Sequence, residues 1–275
     1  MPAGSIDKRL QNSRFSQQNI VDYWNDVYDR QDFEGQVFRR RMQIILGWID
    51  ELHLSPGSQI LDAGTGAGRL AAELVRRGYR ALGMDYYYPM LVKASGNVHE
   101  DAGRLLFLQG NVDALPFGTC SFDATIMLGV IPHIPSPAAA IRELSRLLRP
   151  GGTLLLSFDN RFGLVKRLDV PMVFKRRVQR LARARAESRG QADNTDAPAA
   201  PRTYSFPAVR AMLDSADLAV LDCRPVTEDL LSVSGREILP RAISVPFTRF
   251  FDRFSNLPMV GCLGGMCVVR ARKAP

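Results

Sequence analysis

Three glycines and one carboxylate are the residues whose types and spacing point most directly to chemistry. Gly64, Gly66 and Gly68 follow the apolar run at 60–63 in the segment ILDAGTGAG, and glycine lets a loop turn tightly and lets a ligand approach bare backbone. A helix that begins after such a loop offers unpaired N–H groups and the positive end of its dipole. Asp85 ends the next apolar segment, 21 residues after Gly64, where a carboxylate can accept hydrogen bonds from a ribose diol. The pattern predicts a bound nucleoside.

The spacing of the glycines separates two kinds of nucleoside site. A dinucleotide site favours G-x-G-x-x-G, which would require glycine at position 69, where Arg69 stands. The chain instead has G-x-G-x-G preceded by Asp62, followed in order by LQGNVDALPF, CSFDATIML and ELSRLLRPGGTLLLS. Over residues 58–158 the chain therefore resembles the class I S-adenosylmethionine-dependent methyltransferases, in their small-molecule branch.

The resemblance implies cofactor contacts at the ends of strands and in the loops that follow them. Asp62 would orient the methionine amino group, and Asp85 would hold the ribose hydroxyls. The other implied contacts are Gly64 and Gly66 under the methionine moiety, Gly68 at the start of the helix, Tyr86 against the adenine, Asn111 and Val112 at the adenine edge, and Met127 and Leu128 beside the sulfonium. The family often has aspartate at position 111, and asparagine can still accept through its carbonyl oxygen.

A candidate catalytic base follows the fourth strand. His133, in GVIPHIPSP, would face the carboxyl edge of the sheet, where an imidazole could deprotonate a hydroxyl near neutral pH. The alternative is a structural histidine, because alignment alone suffices for many methyl transfers. Quinone-type O-methyltransferases of the family carry acidic residues around this histidine, and here Gly129 and Pro132 occupy those places. Metal-assisted catechol chemistry is therefore disfavoured, and no metal site is predicted.

The methyl acceptor is predicted from residues outside the cofactor motifs. A small-molecule or lipid-like acceptor is expected, with O-methylation favoured. Tyr23, Trp24 and Tyr28 share helical spacing, which favours a core-packing face over a lid on the cofactor. Four phenylalanines at helical spacing predict a core-facing helix, with an apolar groove as the alternative; they are Phe247, Phe250, Phe251 and Phe254.

Alternating apolar strands and amphipathic helices must position these residues. The repeated βα units predict an α/β fold, a Rossmann-like doubly wound and mostly parallel sheet. The resemblance implies seven strands with the last antiparallel, together with N-terminal helices and a basic helical insertion after strand five. The expected divisions are an N-terminal helical lid at 1–57, a cofactor-binding core at 58–160, a basic insertion and connector at 161–203, and a C-terminal completion of the sheet at 204–275.

Composition excludes several classes of protein. The 275 residues are 46% hydrophobic and 23% charged, which is ordinary for a globular protein and unlike a collagenous or disordered chain. Secretory and membrane-spanning signals are not recognised, and the four scattered cysteines do not suggest a disulfide framework. The expected location is cytoplasmic, with peripheral contact to a membrane as an addition.

The net charge of +8 is concentrated in one segment. Residues 161–190 carry ten lysines and arginines against two acidic residues, so the remainder is neutral. Val170, Phe174, Val178 and Leu181 form one helical stripe within it. A basic amphipathic helix predicts contact with an anionic membrane through residues 161–186, and a solvated helix docked on the domain is equally expected.

Two alternatives to a methyltransferase of small molecules or lipids are an RNA or protein methyltransferase and a non-catalytic nucleoside-binding scaffold. Nucleic acid is disfavoured because stacking aromatic residues are scarce in the segment.

Overall fold

The computed structural model of the chain describes residues 17–98, 103–162, 202–226, 232–233, 236–237 and 265–275. The basic insertion from residue 163 onward and the phenylalanine helix predicted at 247–254 lie outside these residues. The helices are α1 (Gln17–Asp26), α2 (Phe33–Glu51), α3 (Arg69–Arg76), α4 (Tyr88–Asn97), α5 (Pro137–Leu147) and α6 (Phe206–Asp214). A 3-10 turn spans Ile131–His133.

Seven strands form one sheet, and two short strands pair separately. The strands are β1 (Gln59–Ala63), β2 (Arg80–Asp85), β3 (Leu105–Gln109), β4 (Phe122–Met127), β5 (Leu148–Asp159), β6 (Leu218–Pro225), β7 (Ser232–Val233), β8 (Arg236–Glu237) and β9 (Met266–Lys273). The large sheet has the order β3-β2-β1-β4-β5-β9-β6, with β7 and β8 paired to each other. Strands β1 to β5 are parallel, and β9 is antiparallel to both β5 and β6. The predicted mostly parallel sheet with an antiparallel last strand is confirmed.

The order of the strands reverses at β1, and this reversal determines where a ligand fits. The chain runs outward from β1 through β2 to β3, then returns to β4 on the other side of β1. The loops after β1 and β4 therefore diverge to opposite faces of the sheet, leaving a crevice at the carboxyl edge, which is where open α/β sheets bind ligands.

The sheet is covered by apolar packing on both faces. On one face, Trp48 and Ile49 of α2 pack with α3 residues against Ile60 and Leu155. On the other face, Ile141 of α5 and residues of α6 pack against the same strands. Parallel strands buried on both faces read as continuous apolar runs, which is why the central strands were recognisable in the sequence.

The N-terminal helices are joined at a capped turn. Asp32 caps α2, its side chain accepting from the Gly35 N–H at 2.9 Å. From the helical periodicity of its apolar residues, α2 is expected to turn the arginines at 39–41 outward, and for Arg41 this expectation is wrong. Arg41 is only 3% exposed, because it lies three residues after Phe38 on the same face, a spacing that brings side chains together.

Candidate functional site

The glycine loop connects β1 to α3 in the predicted manner. The N–H groups of Gly64 and Thr65 donate to the Met84 carbonyl at 2.7 and 2.9 Å, which ties the loop to the end of β2. Gly64 has a φ of 81°, and a Cβ there would lie 2.1 Å from the Val130 side chain. Gly68, with a φ of 76°, is the N-cap residue of α3. The loop conformation and its contact with the segment after β4 therefore require glycine.

Two carboxylates lie beside this loop, one from each of two adjacent strands. Asp85 accepts from the N–H of Gly66 and from the N–H of Tyr87, both at 2.9 Å. Asp62 is 3% exposed and accepts from the Thr65 hydroxyl at 2.7 Å. A carboxylate has about four lone-pair sites, so both side chains keep acceptor capacity for hydroxyl or ammonium groups of a ligand.

Burial alters the titration of both acids. Removal from water raises the pKa of Asp62 to about 6, helped by the Asp85 charge, while the Thr65 hydrogen bond and the Arg41 charge act in the opposite direction. The pKa of Asp85 is also raised by burial, against the lowering effect of the main-chain hydrogen bonds it accepts. Desolvation disfavours the charged form of an acid, so this pair is costly to bury without a cationic partner.

Arg41 brings a cation to the same neighbourhood, and the sequence interpretation missed it. Its Nη2 donates to the Tyr28 hydroxyl at 3.0 Å, and its guanidinium lies 4.4 Å from the centre of the Phe38 ring. Nε and Nη1 have no hydrogen-bond partner, and Nη1 is 3.0 Å from the point where a Cβ on Gly129 would lie. An anion at this position would stabilise the buried guanidinium and accept from its unpaired N–H groups. The available signal for its burial in the sequence was that Arg41 lies on the apolar stripe of α2.

The predicted adenine side of the site is formed by two loops. Tyr86 follows β2 and is 38% exposed, so its ring is available at the surface. Asn111 follows β3, and its side-chain oxygen accepts from the Asp113 N–H at 3.1 Å. Val112 is buried, so its side chain packs in the core and only its main chain borders the loop. The assignment of Asn111 and Val112 to adenine remains a prediction.

The segment after β4 places His133 at the same edge. His133 ends the 3-10 turn, and its ring centre lies 6.4 Å from that of Trp24 in an edge-to-face arrangement. The side chain is exposed at the rim, yet partial removal from water lowers its pKa, while the Asp159 charge raises it. Met127 is fully buried in the core, whereas Leu128 is only partly buried at the end of the strand.

Helix α1 lies over the glycine loop. Val21 packs against Ala67 and Met90, and Asp29 forms an ion pair with Arg69 at the start of α3. Tyr23 donates to Glu34. Tyr28, which follows α1, accepts from Arg41, and Trp24 faces His133. The sequence favoured core packing of Tyr23, Trp24 and Tyr28 over a lid, and that choice stays a prediction.

Comparison with known proteins relates the residues of this site to a known family. Residues 61–156 match the family model described as a methyltransferase domain. They include the glycine loop, both carboxylates and His133. Residues 61–156 are similar to a methyltransferase domain.

The curated relatives share this domain and little beyond it. The ubiquinone biosynthesis O-methyltransferase of Paracidovorax citrulli is 34% identical over 119 residues, 42% of this chain and 50% of that protein. The protein of the same name from Xanthomonas oryzae pv. oryzae is 37% identical over 108 residues, 38% of this chain and 44% of that protein. The matches thus span about half the length of the relatives.

Solved structures share the whole fold. Magnesium protoporphyrin IX methyltransferase from Synechocystis PCC 6803, solved with bound S-adenosylhomocysteine, superposes with a TM-score of 0.60 at 16% identity, covering 94% of this chain and 99% of that one. A methyltransferase from Methanosarcina mazei gives 0.52 at 20% identity, covering 82% and 97%. The chain has the class I S-adenosylmethionine-dependent methyltransferase fold, as the sequence predicted.

The residues at the site fit the cofactor of such a domain, S-adenosylmethionine. Its carboxylate suits the unpaired N–H groups of Arg41, its ammonium suits the acceptor capacity of Asp62, and its ribose diol suits that of Asp85. The structure brings together the predicted glycines, Asp62, Asp85 and His133 at one edge of the sheet, and adds Arg41 and Trp24.

In the part of the chain that the structure describes, no three histidine, cysteine, aspartate or glutamate side chains are grouped so that they could hold a metal ion. No helix in the same residues is long and apolar enough to cross a membrane.

Proposed function

We propose that this protein transfers a methyl group from S-adenosylmethionine to a hydroxyl group of a small-molecule or lipid-linked acceptor, with His133 as the base. The observation that carries the proposal is that Asp62, Asp85 and His133, all within the residues that match a methyltransferase domain, lie at one edge of the sheet. A buried Arg41 from α2 joins them there. The curated relatives are named O-methyltransferases, which favours oxygen as the methyl acceptor.

The reaction needs alignment and, for a hydroxyl, the removal of one proton. S-adenosylmethionine supplies the activated methyl group and becomes S-adenosylhomocysteine when the carbon–sulfur bond breaks and the carbon–oxygen bond forms. Asp85 and Arg41 would fix the two ends of the donor, so that the methyl carbon faces the acceptor at a constant position. His133 would take the hydroxyl proton and release it to water. Its lowered pKa keeps the imidazole neutral, and therefore basic, near neutral pH.

Titration calorimetry with S-adenosylhomocysteine tests the binding half of the proposal. Replacement of Asp85 by Ala should weaken binding about tenfold or more, because hydrogen bonds to a buried diol are lost. The matched control is Asp214→Ala, an exposed carboxylate on α6, which should leave the affinity unchanged. Absence of binding to the unaltered protein would contradict the proposal.

A methyl-labelled donor tests the transfer half. Incubation with separate pools of phenolic and lipid-linked metabolites, RNA and protein should label the metabolite pool. Replacement of His133 by Ala should abolish most of that labelling and leave the affinity for S-adenosylhomocysteine intact. Label in RNA or protein would favour the alternative functions, and donor binding without label in any pool would favour a nucleoside-binding scaffold.

A further inference from the structure

Hydrogen bonds to main-chain carbonyls before and after His133 fix the turn that carries it. The His133 N–H donates to the Val130 carbonyl at 2.9 Å, and the Arg202 N–H donates to the Pro132 carbonyl at 3.1 Å. The Arg202 guanidinium donates to the Pro135 carbonyl at 2.8 Å. The residues before and after His133 are therefore fixed by a segment distant in sequence. A histidine held in this way has a defined position, which proton transfer to a particular atom requires.

The end of β5 brings Asp159 to the same turn. β5 contacts the turn, and successive strand residues point to opposite faces, so Asp159 shares its face with Ser157, whose hydroxyl accepts from the Gly129 N–H at 2.9 Å. The Asp159 main chain is fixed as well, because its carbonyl accepts from the Tyr204 N–H at 2.9 Å. Asp159 interacts electrostatically with His133.

The described residues around the imidazole come from three segments of the chain. Trp24 of α1 packs edge to face with the ring, the charge of Asp159 of β5 acts on it, and Arg202 is bonded to carbonyls of the loop that follows His133. The Arg41 guanidinium lies against Gly129. Among the residues that the structure describes, Asp159 is the acid whose charge acts on His133.

We propose that Asp159 is a positioning residue for His133: its carboxylate orients the imidazole and stabilises the imidazolium that forms when the acceptor proton is taken up. The general-base role of His133 rests on the proposed function. The interaction of His133 with Asp159 does not depend on any substrate. As the new carbon–oxygen bond forms and the carbon–sulfur bond of the donor breaks, the hydroxyl proton passes to the imidazole nitrogen that faces the acceptor. The imidazolium then returns its proton to solvent.

The pairing can be measured without an acceptor. The full chain labelled at its three histidines gives imidazole signals for His53, His99 and His133, which are assigned with the His133→Gln variant. In a titration followed by NMR, Asp159→Asn should lower the His133 midpoint by about half a pH unit or more, since an opposite charge nearby is removed. His53 and His99 should titrate unchanged.

Two further variants separate charge from structure. Asp159→Glu should restore most of the midpoint, and Asp159→Ser should lower it as Asp159→Asn does, which provides a second neutral variant. The matched control is Asp222→Asn, a partly buried carboxylate on β6 bonded to Arg224, which should leave His133 unchanged. An unaltered His133 midpoint in a folded Asp159→Asn or Asp159→Ser protein would overturn the proposal.

The result that would contradict the proposed function differs from the one that would overturn the role of Asp159. Loss of S-adenosylhomocysteine binding in the unaltered protein would contradict the methyltransferase activity and would not move the His133 midpoint. When transfer is followed, Asp159→Asn should lower kcat and shift the acid limb of its pH profile to lower pH, because the base becomes weaker and is neutral over a wider range. KM for the methyl donor should stay unchanged.

Discussion

Opposite charges in one buried neighbourhood define the site at the scale of single residues. Arg41 and Asp62 are each 3% exposed, and the Arg41 charge opposes the rise of the Asp62 pKa. Neither side chain forms an ion pair that would satisfy all of its polar atoms, and Arg41 retains unpaired N–H groups. An amino-acid moiety, which carries one charge of each sign, complements both. We therefore expect a bound ligand of this kind to offset the cost of burying both groups.

The first residue-scale prediction concerns Arg41. Replacement by Met keeps the length of the side chain and removes its donors, so the affinity for S-adenosylhomocysteine should fall about ten- to hundredfold, the value of a charge-assisted hydrogen bond. Methylthioadenosine, which lacks the amino-acid carboxylate, should bind Arg41→Met and the unaltered protein equally well. Calorimetry with both ligands measures the difference, and Arg76→Met on α3, an exposed position, is the control. An equal loss for both ligands would argue against a carboxylate partner.

The second residue-scale prediction concerns the pH dependence of stability. The folded-state pKa of Asp62 is about 6, above its value of about 3.9 in an unfolded chain. The folded protein binds more protons at this group between these values, so its contribution to stability falls as pH rises from about 4 to about 6 and is constant above. Asp62→Asn removes that contribution.

Urea unfolding of the ligand-free protein measures this effect. The free energy of unfolding of Asp62→Asn relative to the unaltered protein should increase by about 2–3 kcal/mol between pH 4 and pH 7.5. Asp214→Asn, at an exposed position on α6, should show no such change. A difference between Asp62→Asn and the unaltered protein that is the same at both pH values would contradict the raised pKa.

At the scale of elements, α1 has the most direct connection to the site. Its Val21 packs on the glycine loop, and its Trp24 faces both Phe38 of α2 and His133. Asn97 of α4 donates to Asn25 of α1 at 2.8 Å. A ligand on the glycine loop would therefore border α1, and movement of α1 would open or close its surroundings.

Fluorescence can report this element separately from the rest of the chain. The protein has two tryptophans. Trp24 lies on α1, and Trp48 lies on α2 and is fully buried in the core. Binding of S-adenosylhomocysteine should change the emission of Trp24, because the ligand displaces water from its neighbourhood. Trp48→Phe should keep the ligand-dependent change and Trp24→Phe should lose it. The reverse pattern would show that α1 does not border the ligand.

The accuracy of the sequence prediction also varies from element to element. The bounds of β1 and β2 agree with the structure, because apolar runs followed by glycine or aspartate leave little ambiguity. The burial of Arg41 was missed because a charged residue on an amphipathic helix normally points to solvent, and only the docking of α1 and α2 over the sheet covers it. Asp159 was missed because His133, on which its charge acts, is distant from it in sequence.

At the scale of the whole molecule, the charge is separate from the catalytic core. The net charge of +8 is contained in residues 161–190. The described residues that flank the insertion meet beside His133, since Asn160 and Tyr204 form a parallel bridge and Arg202 is bonded to the Pro135 carbonyl. The basic segment therefore leaves and re-enters the domain at the edge where the acceptor would bind. We infer that its partner is an anionic surface, as of a membrane that holds a lipid-linked acceptor.

Excision of the segment tests this arrangement. Because Asn160 and Tyr204 are paired, a short Gly/Ser linker can replace residues 163–201 without displacing the sheet. The shortened protein should bind S-adenosylhomocysteine as the full chain does, and should lose flotation with vesicles rich in phosphatidylglycerol. Flotation of the full chain should decrease at high salt, since exposed charges are screened. Flotation independent of salt, or of anionic lipid, would contradict membrane contact through charge.

The position of β9 has a consequence for how the protein is made. β9 contains residues 266–273, yet it lies between β5 and β6 and pairs with both. As the chain leaves the ribosome, residues 59–159 can assemble five parallel strands and the glycine loop, while β6 can join the sheet only after residues 266–273 have emerged. A ribosome that stops before residue 266 would release a chain with the glycine loop complete and the apolar edge of β5 open. Such a product would be prone to association through that edge, so synthesis of β9 protects β5 from other chains.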